Sequence, residues 1–157
     1  MQDSPLGQTG LHVSRIALGA GPIPELMTGD DPGRQQAVLK RARDQGINWI
    51  DTAASYGQGR SEQSLGRSLQ AIDSVEAFHL ATKVRLMPEE LASRSIRSIV
   101  RASVTSSLRR LGVERVTLLQ LHNSVTGGRE DLPTSVTPED VLNPQGILAA
   151  MQEIQAD

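Results

Sequence analysis

The 157 residues carry 16 Lys plus Arg against 18 Asp plus Glu, a formal net charge of -2, and 38% of them are hydrophobic. At ~150 residues per domain this length suits one domain of ordinary globular composition, which excludes a disordered, collagenous or coiled-coil chain. Balanced charge and 2% aromatic residues leave neither a basic footprint nor a stacking platform for nucleic acid.

Residues 13–18 form a short apolar-rich run that ends in Gly19, Ala20, Gly21 and Pro22, and they read as a strand entering an irregular loop. A helix follows: Asp31 is placed to cap it, Pro32 suits its first position, Ala37, Val38, Arg41 and Ala42 make a modest apolar stripe, and Gly46 stops it. Residues 47–53 read as a second strand. Beyond a turn containing Gly57 and Gly59, Ser61 is expected to cap a helix in which Leu65 and Leu69 share a face and Gly66 allows close packing.

Residues 78–84 make the third strand, and residues 91–111 a long helix with Ile96, Ile99, Val100, Val104, Leu108 and Leu111 at helical spacing, ended by Gly112. The fourth strand spans 116–121. A loop rich in Gly, Pro and Thr covers 123–143, with Thr137-Pro138-Glu139 as a capping signal for a short helix inside it. Pro144 then opens a last helix carrying Ile147, Leu148, Met151 and Ile154.

Strand and helix alternate four times, which predicts an α/β fold of parallel strands joined by right-handed crossovers. Two architectures satisfy that order, a small doubly wound sheet and the first half of an eight-unit barrel. Half a barrel has two raw edges and an uncovered core, so such a piece would pair with itself as a homodimer, rearrange, or be completed by further sequence.

The second strand closes with Asp51, the third with Lys83 and the fourth with His122, each an ionisable residue at the carboxyl end of a mostly apolar run. In parallel α/β folds this rim is where sites are assembled. Tyr56, the single tyrosine, follows Asp51 by five residues and belongs to the same rim. A buried Lys or Asp alone would be costly; pairing Lys83 with Asp51 offsets that cost and leaves an ammonium near the phenol. Singly, each residue has an ordinary structural explanation, as turn, solvated cation or satisfied imidazole; it is their joint placement that points to chemistry.

Other chemistries find little support. The chain has no Cys, which excludes disulfides, thiolate nucleophiles and sulfur-bound metals. His12, His79 and His122 stand at unrelated spacings, so no metal site is expected. Gly19-Ala20-Gly21 opens like a dinucleotide fingerprint, but Pro24 stands where its third glycine belongs. No apolar run approaches the ~18 residues of a membrane span, and Asp3, Pro5 and Gly7 occupy the place of a signal-peptide core, so the expectation is a cytoplasmic protein with no membrane partner.

The stretch Asp51-Thr-Ala-Ala-Ser-Tyr56-Gly-Gln-Gly-Arg-Ser-Glu62-Gln-Ser-Leu-Gly66 resembles the signature of the aldo-keto reductases, as do Leu6-Gly-Gln-Thr-Gly-Leu-His-Val-Ser-Arg-Ile-Ala-Leu-Gly19, Ala81-Thr-Lys83 and Leu119-Gln-Leu-His122. The loop after Asn123 is similar to the bacterial sugar-dehydrogenase-like branch. The resemblance implies a (β/α)8 TIM barrel, of which these residues would be the first four βα units, a truncated half barrel with 1–157 as a partial oxidoreductase domain. It implies NADP(H), or in second place NAD(H), and hydride transfer to or from a small-molecule carbonyl or sugar. Tyr56 would be the general acid and base, Lys83 held by Asp51 would tune it, and His122 would hydrogen-bond the carbonyl oxygen. Tyr56 and His122 would thus also bind substrate, while Asp51 and Gly21 would lie at the cofactor.

The family's residues for the nicotinamide carboxamide and the adenosine phosphate fall in later barrel units with no counterpart here, and barrels bind phosphate in the loops after strands seven and eight. Activity of an isolated four-unit piece is therefore not expected. The competing expectation is a non-enzymatic half-barrel remnant or a self-pairing interaction module.

Overall fold

A computed structural model describes residues 2–21 and 26–156. In chain order the elements are β1 (Asp3–Pro5), β2 (His12–Ser14), β3 (Leu18–Gly19), α1 (Pro32–Asp44), β4 (Trp49–Asp51), α2 (Arg60–Ala71), β5 (His79–Val84), α3 (Pro88–Leu91), α4 (Ile96–Leu111), β6 (Leu118–Leu121), β7 (Ser124–Val125), β8 (Ser135–Val136), α5 (Pro138–Leu142) and α6 (Ile147–Ala156). The main sheet has four strands in the order β3-β4-β5-β6, with β3 parallel to β4 and β4 parallel to β5. Strand order equals chain order, as expected when each crossover helix returns the chain one place along a sheet. The chain divides into two compact units, Met1–Thr82 with Ser107–Leu118, and Lys83–Ser106 with Leu119–Asp157.

The first unit holds an apolar core of Ala20, Met27, Leu39, Ala42, Ile50, Leu65, Leu69, Phe78, Leu80 and Leu111. Helices α1 and α2 pack on each other within it. Helix α1 begins as its sequence dictates, with the Asp31 carboxylate accepting from the Arg34 backbone N–H at 2.9 Å and Pro32 at the first position. Its buried face is Gln35, Leu39 and Ala42, whereas Ala37 and Arg41 face solvent. Gln35 is buried because its amide donates to the carbonyls of Leu26 (3.2 Å) and Gly29 (2.9 Å), so the inward row contains a polar residue that apolar periodicity overlooks.

The expected strand over 13–18 is two elements. Strand β2 pairs antiparallel with β1 in a separate hairpin, and only β3 joins the main sheet. Asn48 fixes the break: its side chain accepts from Ser14 N at 2.7 Å and donates to His12 O at 3.2 Å. Pro22 and Pro24, on which the rejected fingerprint turned, lie outside the described residues.

Helix α2 is capped by Gly59, not by Ser61. Ser61 is instead wholly buried, its hydroxyl donating to the Ala20 carbonyl and lying 2.9 Å from the Thr52 hydroxyl. Gly66 packs as its position suggested: a Cβ there would collide with the Leu111 carbonyl.

In the second unit, Val84, Leu86, Ile99, Val100, Val104, Val136, Ile147 and Ala150 are buried. The helix expected over 91–111 starts only at Ile96, as α4, after the separate short α3; the Ser95 hydroxyl accepts from Ser98 N (3.3 Å) at its start. The loop over 123–143 contains the two-stranded pair β7-β8 and α5. Thr137 caps α5 as its motif predicts, its hydroxyl accepting from Asp140 N at 3.2 Å while Pro138 takes the first position. Pro144 precedes α6, which starts at Ile147.

Asp140 completes this cap. Its carboxylate accepts from Thr137 N and Thr137 Oγ1, both at 2.9 Å, and from Arg129 Nε at 2.9 Å. The Arg129 guanidinium holds the Asp140 carboxyl at about 2, below the usual carboxylate range, with burial opposing the shift and the Thr137 donors adding to it. A carboxyl whose folded pKa is depressed stabilises the fold above its unfolded pKa and loses that contribution as pH falls toward the folded value. Asp140→Asn is therefore expected to cost stability at neutral pH, by a difference from the parent that shrinks as pH drops from about 4 to about 2. Denaturant unfolding of both proteins across that range checks it; a pH-independent difference contradicts the assignment.

Candidate active site

Three adjacent strands of the main sheet bring ionisable residues to their carboxyl ends. Asp51 is the last residue of β4, Lys83 the fifth of the six in β5, and His122 directly follows β6. Asp51 is in register with Ala81 on β5, and Ala81 and Lys83, two apart, share a face of that strand. All three are half-buried, as is Tyr56.

Asp51, Tyr56 and Gly21 belong to the first unit. The Ala20 N–H donates to the Asp51 carbonyl at 2.8 Å, which carries the chain past β3 toward Gly21. A Cβ on Gly21 would stand 3.8 Å from Tyr56 Cε2, so bare backbone lies beside the phenol ring. Tyr56 opens a single 3-10 turn, and the residues after it take left-handed conformations in succession: Gly57 at φ 57, Gln58 at φ 56 and Gly59 at φ 88. Glycine meets two of these requirements without strain; Gln58 is a genuine departure of the kind found beside functional sites.

Lys83 and His122 belong to the second unit. The His122 backbone N–H donates to the Val84 carbonyl at 2.8 Å, extending the β5-β6 pairing by one residue. Beside the imidazole lies Arg85, with Nη2 3.3 Å from Nδ1. Asn123, the next residue, fastens the strand ends: its side chain accepts from Leu86 N at 2.9 Å and donates to the carbonyls of Leu86 (2.8 Å) and Thr134 (2.9 Å).

Sequence reasoning assigned no role to Arg85, Asn123 or Glu62. Glu62 is wholly buried on α2 and accepts from Thr82 Oγ1 at 2.6 Å and from Arg110 Nε at 2.7 Å. Its partner Thr82 directly precedes Lys83 on β5, so this hydrogen bond ties the strand to α2 just before a candidate catalytic residue. Among the described residues no group of three or more His, Asp or Glu could hold a metal ion, and no helix is long and apolar enough to cross a membrane.

The model of the Aldo/keto reductase family matches residues 15–131. The chain belongs to this family. It is 34% identical to aldo-keto reductase YhdN of Bacillus subtilis over 125 residues, covering 78% of this chain and 38% of that protein. It is 31% identical to L-galactose dehydrogenase of Arabidopsis thaliana over 134 residues, covering 85% of this chain and 41% of that one. Among solved structures, an aldo-keto reductase from Bacillus halodurans in its holo form superposes with a TM-score of 0.72 at 28% identity, covering 99% of this chain and 47% of its own. The chain thus spans less than half the length of these relatives. Of the two architectures that the element order allowed, the family decides for the first four βα units of a (β/α)8 barrel.

Proposed function

We propose that this chain is the part of an NADP(H)-dependent oxidoreductase that carries its proton-transfer residues, acting on the carbonyl of a small aldehyde, ketone or sugar. The supporting observation is the placement of Asp51, Lys83 and His122 at the carboxyl ends of three adjacent strands, with Tyr56 in the turn after the first of them. That a relative is an L-galactose dehydrogenase favours a sugar among these substrates. The residues suit a nicotinamide cofactor: Gly21 presents bare backbone beside Tyr56, and Asp51 supplies an acceptor for ribose hydroxyls. NADP(H) is the first candidate and NAD(H) the second.

NADP(H), when bound, gives hydride to the carbonyl carbon or takes it from the alcohol carbon. Tyr56 donates its phenolic proton to the carbonyl oxygen during reduction and takes a proton back during oxidation. In this reading Lys83, held by Asp51, assists that proton transfer. His122 donates to the same carbonyl oxygen and stabilises the charge that develops there. The test is NADPH oxidation on addition of an aldehyde by this chain completed with the later barrel units, in cis or in trans, compared with its Tyr56→Phe form: turnover that needs the hydroxyl supports the reading, and turnover indifferent to it refutes the assigned role.

A further inference from the structure

Arg43, Arg60, Arg94, Arg97, Arg110 and Arg129 each pair with a carboxylate. Arg85, directly after β5, has no such partner among the described residues, although it is half-buried. Its Nε is sealed from solvent and makes no hydrogen bond. Its Nη2 lies 3.3 Å from Nδ1 and 3.5 Å from Nε2 of His122. A guanidinium only donates and stays charged, and an imidazole brings it no negative charge. The result is a partly desolvated cation with no counter-charge among the described residues, an arrangement that costs free energy until an anion arrives.

We infer that Arg85 is a specificity-determining residue that binds a carboxylate carried by the carbonyl substrate. The inference rests on the proposed role of His122: if that imidazole holds the carbonyl oxygen, a carboxylate a few bonds away on the same molecule comes within reach of the Arg85 amino groups. Guanidinium suits this task because its planar donor array matches two carboxylate oxygens at once. The substrate class is thereby narrowed to aldehydes and ketones bearing a carboxylate near the carbonyl, such as oxo acids and sugar acids.

The experiment compares kcat/KM for 3-carboxybenzaldehyde and 3-nitrobenzaldehyde, which match in shape and differ in charge, using as parent this chain completed with the later barrel units, and its Arg85→Met and Arg85→Lys forms. The carboxylate-over-nitro preference is expected to fall by about 10- to 100-fold in Arg85→Met, as for the loss of hydrogen bonds to a charged group, and to recover in part in Arg85→Lys. No preference in the parent, or the same preference in Arg85→Met, overturns the inference. So does a rise in the KM for NADPH with the preference intact, which would assign Arg85 to a cofactor phosphate. If neither aldehyde is reduced, the reductase reading fails by itself, and calorimetric titration with benzoate decides the anion site without turnover. Saturable benzoate binding that Arg85→Met loses then supports the site, and no binding to the folded parent overturns it.

Discussion

In the barrel completed with its later units, Tyr56→Phe is expected to slow NADPH-dependent carbonyl reduction by about 10²- to 10⁴-fold, the usual contribution of a positioned general acid. The substitution removes one oxygen and keeps the ring that lies beside Gly21, so the packing of the turn after β4 is retained. What disappears is the proton delivered to the carbonyl oxygen as its charge develops, and no other phenol exists in the chain to replace it. Single-turnover rates, measured together with NADPH affinity, separate the two parts of the claim. A slow chemical step with cofactor binding preserved is the expected pattern; a parental rate in the variant would remove Tyr56 from the mechanism.

Glu62→Ala is expected to destabilise the fold by about 3–5 kcal/mol, the range for breaking a buried ion pair by removing one member. Glu62 has no exposure, and its two oxygens accept from Thr82 Oγ1 at 2.6 Å and Arg110 Nε at 2.7 Å. Truncation leaves Arg110, only 23% exposed, with the Ser107 hydroxyl at 3.1 Å as a neutral partner and no carboxylate. Space compounds the loss, because the Arg110 side chain already lies against Gly59, where α2 begins. Equilibrium unfolding in denaturant measures the effect, and a change below about 1 kcal/mol, the level of an exposed pair, would show that the interaction is not buried in solution.

The order of strands and helices was legible because each main-sheet strand is a short apolar run bounded by glycine or polar residues, and Asp31-Pro32 and Thr137-Pro138 announce two helix starts by local chemistry alone. The misreadings share a cause, which is that the deciding contact is distant in sequence or competes with a periodic signal. Residues 13–18 look like one strand until Asn48 takes the backbone of Ser14 and His12. Ser61 has the local profile of a cap, yet the carbonyl of Ala20 and the hydroxyl of Thr52, remote in sequence, turn it inward. The apolar rhythm over 91–111 runs through Ser95, where a side-chain hydrogen bond stands at the start of a fresh helix.

For the candidate site, Asp51, Lys83 and His122 stood out because ionisable residues closing apolar strands are unusual, and Tyr56 because it is unique. Glu62 was hidden by its place in the first turn of α2, where a carboxylate is explained by the helix dipole. Arg110 was hidden likewise in the last turn of α4. Arg85 looks like any solvated arginine after a strand; only the lack of a carboxylate partner among the described residues and the neighbouring imidazole set it apart, and both are facts of three-dimensional structure.

Titration with NADPH of this chain completed with the later barrel units, followed through nicotinamide fluorescence, tests the oxidoreductase assignment most directly. Saturable binding at micromolar NADPH is the expected result, within the usual range of enzyme affinities for their substrates. A folded protein that gives no saturable signal up to millimolar NADPH would contradict it.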